Sequence, residues 1–203
     1  DVTRVIRLGK LLIYQGGFMA RALIIVDVQP TFCEGGALPV TGGNAIAEAV
    51  AAYVDAHRDE YQLIVTTQDW HIDPGAHFSE TPDFVDTWPP HGVAGTAEAE
   101  LHPALAHVNA DVTIKKGQYK AAYSGFEGTT EDGTTLEQAL RAANITDVDV
   151  VGLAESHCVA CTAVDAVHAG FRTRVLRELT APVTEELGAS ARQWMTSEHV
   201  EIV

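Results

Sequence analysis

No apolar run in this chain reaches the roughly 18 residues that a membrane-spanning helix needs. Positive charge is also scarce: 13 lysines and arginines face 28 acidic residues, a formal net charge of −15. That balance argues against nucleic acid or an anionic membrane as a partner and reads as a solvated acidic surface. Cysteine is limited to Cys33, Cys158 and Cys161. Three thiols do not make a secreted disulfide framework, and a reducing cytoplasm is the simpler compartment. Internal repeats, low-complexity tracts and domain linkers are lacking as well. What is there is ordinary globular material, 203 residues of which 46% are hydrophobic and 20% charged. That length suffices for one domain with a large core.

The leading segment stands apart. Asp1 to Phe18 hold Arg4, Arg7, Lys10 and a single acid, a net charge of +2 that leaves −17 on the remainder. Its apolar piece, Leu11-Leu12-Ile13-Tyr14, is too short for a signal peptide and no small-residue cleavage site follows it. Residues 1–18 are therefore expected to be a cloning-derived or mis-started extension, with Met19 the natural start and 19–203 a single domain. The competing reading is a true extension that packs on a neighbour.

From Ala22 onward, strand and helix signals alternate, the pattern of βαβ units around a parallel sheet. Strands are expected at Ala22–Asp27, Gln62–Thr67, Asp111–Lys115, Asp147–Leu153, Arg174–Leu179 and Val200–Val203. Between them, Ile46, Val50, Tyr53 and Val54 share a helical face. Thr134 and Glu137 have capping-box spacing ahead of a helix that carries Leu136, Ala139, Leu140 and Ala143. A further helix is expected near Ser156, with Gly170 ending it, and a last one over Glu185–Ser197. The fold class is α/β, a three-layer αβα arrangement with a central parallel sheet of about six strands. Two irregular segments interrupt the rhythm, Gln68–Thr96 and Gly117–Gly133, and long loops in a compact domain are usually functional or disordered. Trp70, Phe78, Phe84 and Trp88 speak against disorder in the first.

Four of the strands end on residues able to do chemistry: Asp27, Asp69 with His71, Lys115 with Lys116, and His157 with Cys158. In an open parallel sheet ligands bind outside the carboxyl ends of the strands, so these residues are expected in one crevice. Asp69, His71, His77 and His91 place one carboxylate and three imidazoles within 23 residues. Such a mixed N/O set suits Zn, Fe or Mn; the bland alternative is a polar loop with scattered histidines. Cys158 falls at an expected helix start, where backbone N–H groups and the helix dipole favour thiolate. A buried structural cysteine is its bland alternative. Asp27 is either a turn cap or a base whose pKa is raised by burial. Cys, Asp and Lys together can serve as nucleophile, proton shuttle and electrostatic stabiliser. Cys158-Val159-Ala160-Cys161 is also a C-x-x-C, which keeps a dithiol redox site in play. Phe32, Trp88 and Tyr123 could line a flat pocket, although most aromatics are simply core.

Several stretches, taken together and in order, carry a resemblance: Ala22-Leu-Ile-Ile-Val-Asp-Val-Gln29, Phe32-Cys-Glu-Gly-Gly36, His71-Ile-Asp-Pro-Gly75, Trp88-Pro-Pro-His91, Tyr123-Ser-Gly-Phe-Glu-Gly128, and Asp149-Val-Val-Gly152 with His157-Cys-Val159. From Ala22 to about Val203 the chain resembles the nicotinamidase/pyrazinamidase group of the isochorismatase-like cysteine hydrolases, especially actinobacterial members. The resemblance implies a triad of Asp27, Lys116 and Cys158. It implies one divalent metal ion on Asp69, His71, His77 and His91. It places a cis peptide at Leu153-Ala154 and an oxyanion hole on the backbone N–H groups of Ala154 and Cys158. The substrate ring would lie against Phe32, Trp88 and Tyr123, with His157, beside the metal region, as a further substrate-binding residue. The implied reaction converts nicotinamide to nicotinate and ammonia through a Cys158 thioester, in NAD salvage, with pyrazinamide a second substrate. The implied protein is a cytoplasmic monomer or small homo-oligomer with no nucleic-acid or membrane partner. The chain departs from the resemblance at Pro30-Thr31, where relatives often carry Asn-Asp, and at Cys161. A related cysteine amidase on another small amide and a Cys158/Cys161 dithiol oxidoreductase are the competing functions.

Overall fold

In the computed structural model, which describes residues 20–203, the strand-like runs assemble into one six-stranded sheet. The expected extension at 1–18 and the start at Met19 lie outside the described residues. The strands are β1 (Arg21–Val26), β2 (Leu63–Asp69), β3 (Val112–Lys116), β4 (Asp147–Leu153), β5 (Arg172–Ala181) and β6 (Glu201–Ile202). Their order is β3-β2-β1-β4-β5-β6, and every pairing is parallel. The order reverses between β1 and β4, which opens a crevice at their carboxyl ends.

Both faces of the sheet are covered, which explains why the strands read as continuous apolar runs. Ala22, Ile24 and Val26 enter one core with residues of the helices α2 (Leu136–Ala142), α3 (Ala160–His168) and α4 (Glu185–Ser197). Leu23 and Ile25 enter the other, against Ala47, Val50 and Val54 of α1 (Gly43–His57). All five strand residues are fully buried, and burying a Val, Leu or Ile side chain is worth about 1.5–3 kcal/mol. No described helix is long and apolar enough to cross a membrane.

Three local expectations shift. The capping box at α2 uses Thr135 and Gln138 rather than Thr134 and Glu137. Thr134 is occupied in a turn with Thr130, whose backbone N–H it accepts and whose Oγ1 takes its own N–H. The helix expected near Ser156 begins as a π-turn over Glu155–Val159, and regular α3 starts only at Ala160. β2 runs two residues beyond Thr67, because Gln68 and Asp69 pair with Lys115 and Lys116 on β3. That extension carries Asp69 into the sheet end. The first irregular segment is stitched by bridges between His71 and Val93 and between Phe78 and Trp88, so it is an ordered structure that folds its histidines back on themselves.

Candidate active site and metal centre

Asp27 is the first residue past β1 and is fully buried, with a left-handed backbone (φ +47°) that Asp tolerates better than most residues. The Thr67 hydroxyl donates to its Oδ1 at 2.6 Å. Lys116, the last residue of β3, is also fully buried. Its ammonium lies 2.9 Å from Asp27 Oδ2 and donates to Asp69 Oδ1, to Ala122 O at 3.2 Å and to Cys158 Sγ at 3.6 Å. The contact with Asp27 is within ion-pair range but not aligned as a hydrogen bond, and Asp27 Oδ2 accepts none from the described residues. Lys115, its neighbour, instead lays its ammonium 3.5 Å over the Trp70 ring.

These four groups hold their protons very differently. Burial pushes the Asp27 carboxyl up, only partly opposed by Lys116. Burial acts on Asp69 in the same sense, but Lys116 and the neighbouring His71 and His91 outweigh it and hold Asp69 well below the carboxylate range. Burial disfavours the Lys116 ammonium, yet Asp27, Asp69 and Cys158 outweigh it and keep it charged. Two carboxylates whose proton affinities are driven apart are suited to different tasks: Asp69 can serve as a fixed charge and Asp27 can take up and release a proton. Cys158 is a correction. The helix start was expected to favour thiolate, but burial of this nearly enclosed side chain pushes the thiol well up despite Lys116. Cys158 sits inside the π-turn, ahead of the helix proper. The thiol therefore holds its proton, and the nearby Asp27 carboxylate reinforces that.

The three loop histidines converge. One ring nitrogen from each of His71, His77 and His91 lies within 4.8 Å of the others, and all three residues are buried. Asp69 Oδ2 is 3.4 Å from His71 Nε2 and 3.6 Å from His91 Nε2. Backbone carbonyls engage the far nitrogens: Gly117 O is 2.6 Å from His71 Nδ1, and Pro89 O is 2.8 Å from His91 Nδ1. That is the usual way a ligating imidazole is oriented, with its other nitrogen left free. His71 Nε2 and His77 Nδ1 are buried with no hydrogen-bond partner among the described residues. His77 is pushed down to about 4 by burial and by the other two histidines, so it stays neutral. Orphaned nitrogens, a neutral imidazole and an ionised carboxylate form a donor set that fits one divalent cation. Gly117 is required here: with φ +75°, any Cβ would come 2.5 Å from the His71 ring.

Between this cluster and Cys158 lies a cavity lined by Phe32, Trp88, Tyr123, His157, Asp69, His77, His91, Ala154 and Cys158, with Leu38, Val40, Ala122 and Val183. All four expected substrate-binding residues are in this wall. Trp88 Nε1 donates to Tyr123 Oη at 3.0 Å, and His157 packs edge-on to Trp88. The Leu153-Ala154 peptide is cis. Ala154 O accepts the N–H groups of His157 and Val159 at 3.0 and 3.2 Å, and the Cys158 N–H between them joins neither bond.

Sequence reading missed the supports. Gln29, fully buried, donates to Asp69 O at 3.0 Å and accepts the Asp69 N–H at 2.9 Å, clamping the end of β2. It lies two residues beyond Asp27 in the same quoted stretch, which was the available signal. Thr67 had none beyond its place at a strand end. Thr31, at the departure noted above, is buried and accepts the Gly92 N–H on its Oγ1 at 3.0 Å, bracing the chain beside His91.

Residues 21–200 match the model of the isochorismatase domain family. The chain is 51% identical over 183 residues to the nicotinamidase/pyrazinamidase of Mycobacterium tuberculosis, covering 90% of this chain and 98% of that protein. Among solved structures it is similar to the pyrazinamidase of Pyrococcus horikoshii in complex with zinc, with 36% identity, a TM-score of 0.77 and coverage of 90% and 98%. It is also similar to PnC1 of L. infantum in complex with nicotinate, with 31% identity, a TM-score of 0.79 and coverage of 92% and 93%.

Proposed function

The chain belongs to the isochorismatase domain family, and from that premise we propose that it is a nicotinamidase, a cysteine amidohydrolase converting nicotinamide to nicotinate and ammonia, with pyrazinamide as a second substrate. The observation that carries the reading is the buried Asp27–Lys116–Cys158 cluster opening on an aromatic-lined cavity. The 51% identical relative bears both activities in its name.

Asp27, whose proton affinity burial raises, takes the Cys158 proton. The Lys116 ammonium, 3.6 Å from Sγ, holds the thiolate as it forms. Sulfur attacks the carboxamide carbon, and the backbone N–H groups of Ala154 and Cys158 receive the oxyanion. Losing one such donor typically costs about 3 kcal/mol. Asp27 returns its proton to the departing nitrogen, which leaves as ammonia. Water then cleaves the thioester to nicotinate, and the sulfur recovers its proton. Phe32, Trp88, Tyr123 and His157 hold the ring so that the carboxamide meets sulfur in a fixed orientation.

One divalent ion, Zn, Fe or Mn, would be held by Asp69, His71, His77 and His91. It would supply a Lewis-acid charge at the cavity wall, suited to a ring nitrogen acceptor. Three free cysteines fit a cytoplasmic setting and a role in NAD salvage. The enzyme acts on small molecules as a monomer or small homo-oligomer.

The test is ammonia release from nicotinamide by metal-analysed wild type and by Cys158→Ala. Release by wild type alone is expected. No release by folded, metal-replete wild type would overturn the reading.

A further inference from the structure

Among the buried charges that the chemistry above does not use, Glu155 stands nearest the nucleophile in the chain. Glu155 stands in the π-turn three residues before Cys158, with its side chain 1% exposed. Its Oε2 accepts Arg192 Nη1 at 2.7 Å, while its Oε1 is buried with no partner among the described residues. Arg192 reaches in from the middle of α4 and also engages Glu185. The next residue of the turn is tied to the same region: Ser156 Oγ accepts the N–H of Val183, a cavity-lining residue, at 3.1 Å. The α4 end of this brace is tight, since a Cβ on Gly188 would lie 2.7 Å from the Pro182 side chain and 3.0 Å from Arg192 Nη1. Two consecutive residues of the nucleophile turn are thus anchored to the stretch from Pro182 to Arg192.

The turn needs outside anchors. Its backbone closes through the wide Val159-to-Ala154 bond rather than the regular helical ladder, and wide turns of this kind occur mostly at functional sites. Stability alone does not account for an ion pair here. Apolar residues of similar volume in place of a buried pair are often neutral or stabilising. A charge-assisted bond to Arg adds what an apolar contact cannot, a fixed direction.

We propose that Glu155 and Arg192 are a positioning pair. They hold the Glu155–Val159 turn so that Cys158 Sγ and the oxyanion donors on Ala154 and Cys158 stand in register with the bound amide. The proposal rests on the reading of Cys158 as nucleophile.

The test compares Arg192→Met, Glu155→Met, the double variant and Arg192→Lys with wild type. Three quantities are read: the melting temperature, kcat and KM for ammonia release from nicotinamide, and the pH midpoint of Cys158 alkylation by iodoacetamide, followed by mass on the Cys158 peptide. Arg192→Met is expected to melt lower, because it strands a buried carboxylate. The double variant is expected to regain melting temperature but not turnover, with kcat down about tenfold or more, KM within twofold of wild type and a displaced alkylation midpoint. Arg192→Lys, which keeps the charge but not the fork, should show the same split more weakly; it decides the matter if the Met variants fail to fold. Wild-type kcat in the folded double variant or in Arg192→Lys, with an unmoved alkylation midpoint, would overturn the pair's role. If wild type releases no ammonia, the amidase reading fails by itself, and the alkylation midpoints still report whether the pair positions Cys158.

Discussion

Two carboxylates are completely buried in the sheet, and the molecule treats them in opposite ways. Asp149, on β4, is saturated: Tyr61 Oη donates at 2.8 Å, Arg174 grips both oxygens at 2.8 and 2.7 Å, and Arg21 adds contacts at 3.2 and 3.4 Å. Asp27, past the end of β1, has one aligned donor, Thr67, and an oxygen that faces Lys116 without accepting a bond. Withdrawing a carboxylate from water costs several kcal/mol. At Asp149 directed hydrogen bonds offset that cost. At Asp27 the offset is incomplete, and the deficit shows as a raised affinity for a proton. A satisfied buried charge is architecture; an under-satisfied one beside a thiol is chemistry.

The largest expected effect breaks the reactive side. Asp27→Asn keeps the size of the side chain and removes the base. Ammonia release should fall by about 10²–10⁴-fold, while metal content and the thermal melt stay near wild type. A fully active Asp27→Asn enzyme would end the general-base assignment and with it the contrast.

Asp149→Ala probes the other side and should reverse the pattern. Removing the shared acceptor strands Arg21, Arg174 and the Tyr61 hydroxyl. About 3 kcal/mol of stability should be lost, measured by denaturant unfolding, with kcat per folded molecule unchanged. Lost turnover without lost stability would mean that Asp149 is not merely structural.

Much of the reactive side was legible in the sequence, because a parallel strand buried on both faces is an apolar run and the first polar residue after it stands at the sheet end. Asp27 follows from that rule; Cys158 is a candidate from its type just past a strand, the choice of Lys116 over Lys115 comes with the resemblance, and the loop histidines stand out by their type and number. The supports were not legible. Gln29 meets Asp69 across 40 positions and Arg192 meets Glu155 across 37, and nothing in local spacing announces such contacts. The α2 cap slipped by one residue because Thr134-Thr135 followed by Glu137-Gln138 offers two boxes of equal spacing, and only the competing Thr130 turn chooses between them. The protonation of Cys158 departs from the expectation because a helix start is visible in sequence while near-enclosure by the fold is not.

The smallest expected effect sharpens the contrast within a single motif. Cys158 and Cys161 are three residues apart, and both are free. Burial raises both thiols, Cys161 to about 11, but their company differs. Lys116 is the main group opposing burial at Cys158, whereas Asp165 and Glu127 reinforce it at Cys161. A thiolate at Cys158 has a cation to hold it; one at Cys161 meets carboxylates first. Cys161→Ser should therefore leave kcat and KM for nicotinamide within about twofold of wild type, as expected for a substitution outside the reacting set, with or without reductant. Had the pair worked as a dithiol, the same substitution would abolish activity, and reductant would change the rate of the wild type. Near-wild-type kinetics in Cys161→Ser, set beside the silence expected of Cys158→Ala, would assign the reaction to one sulfur and leave the other as packing at the foot of α3.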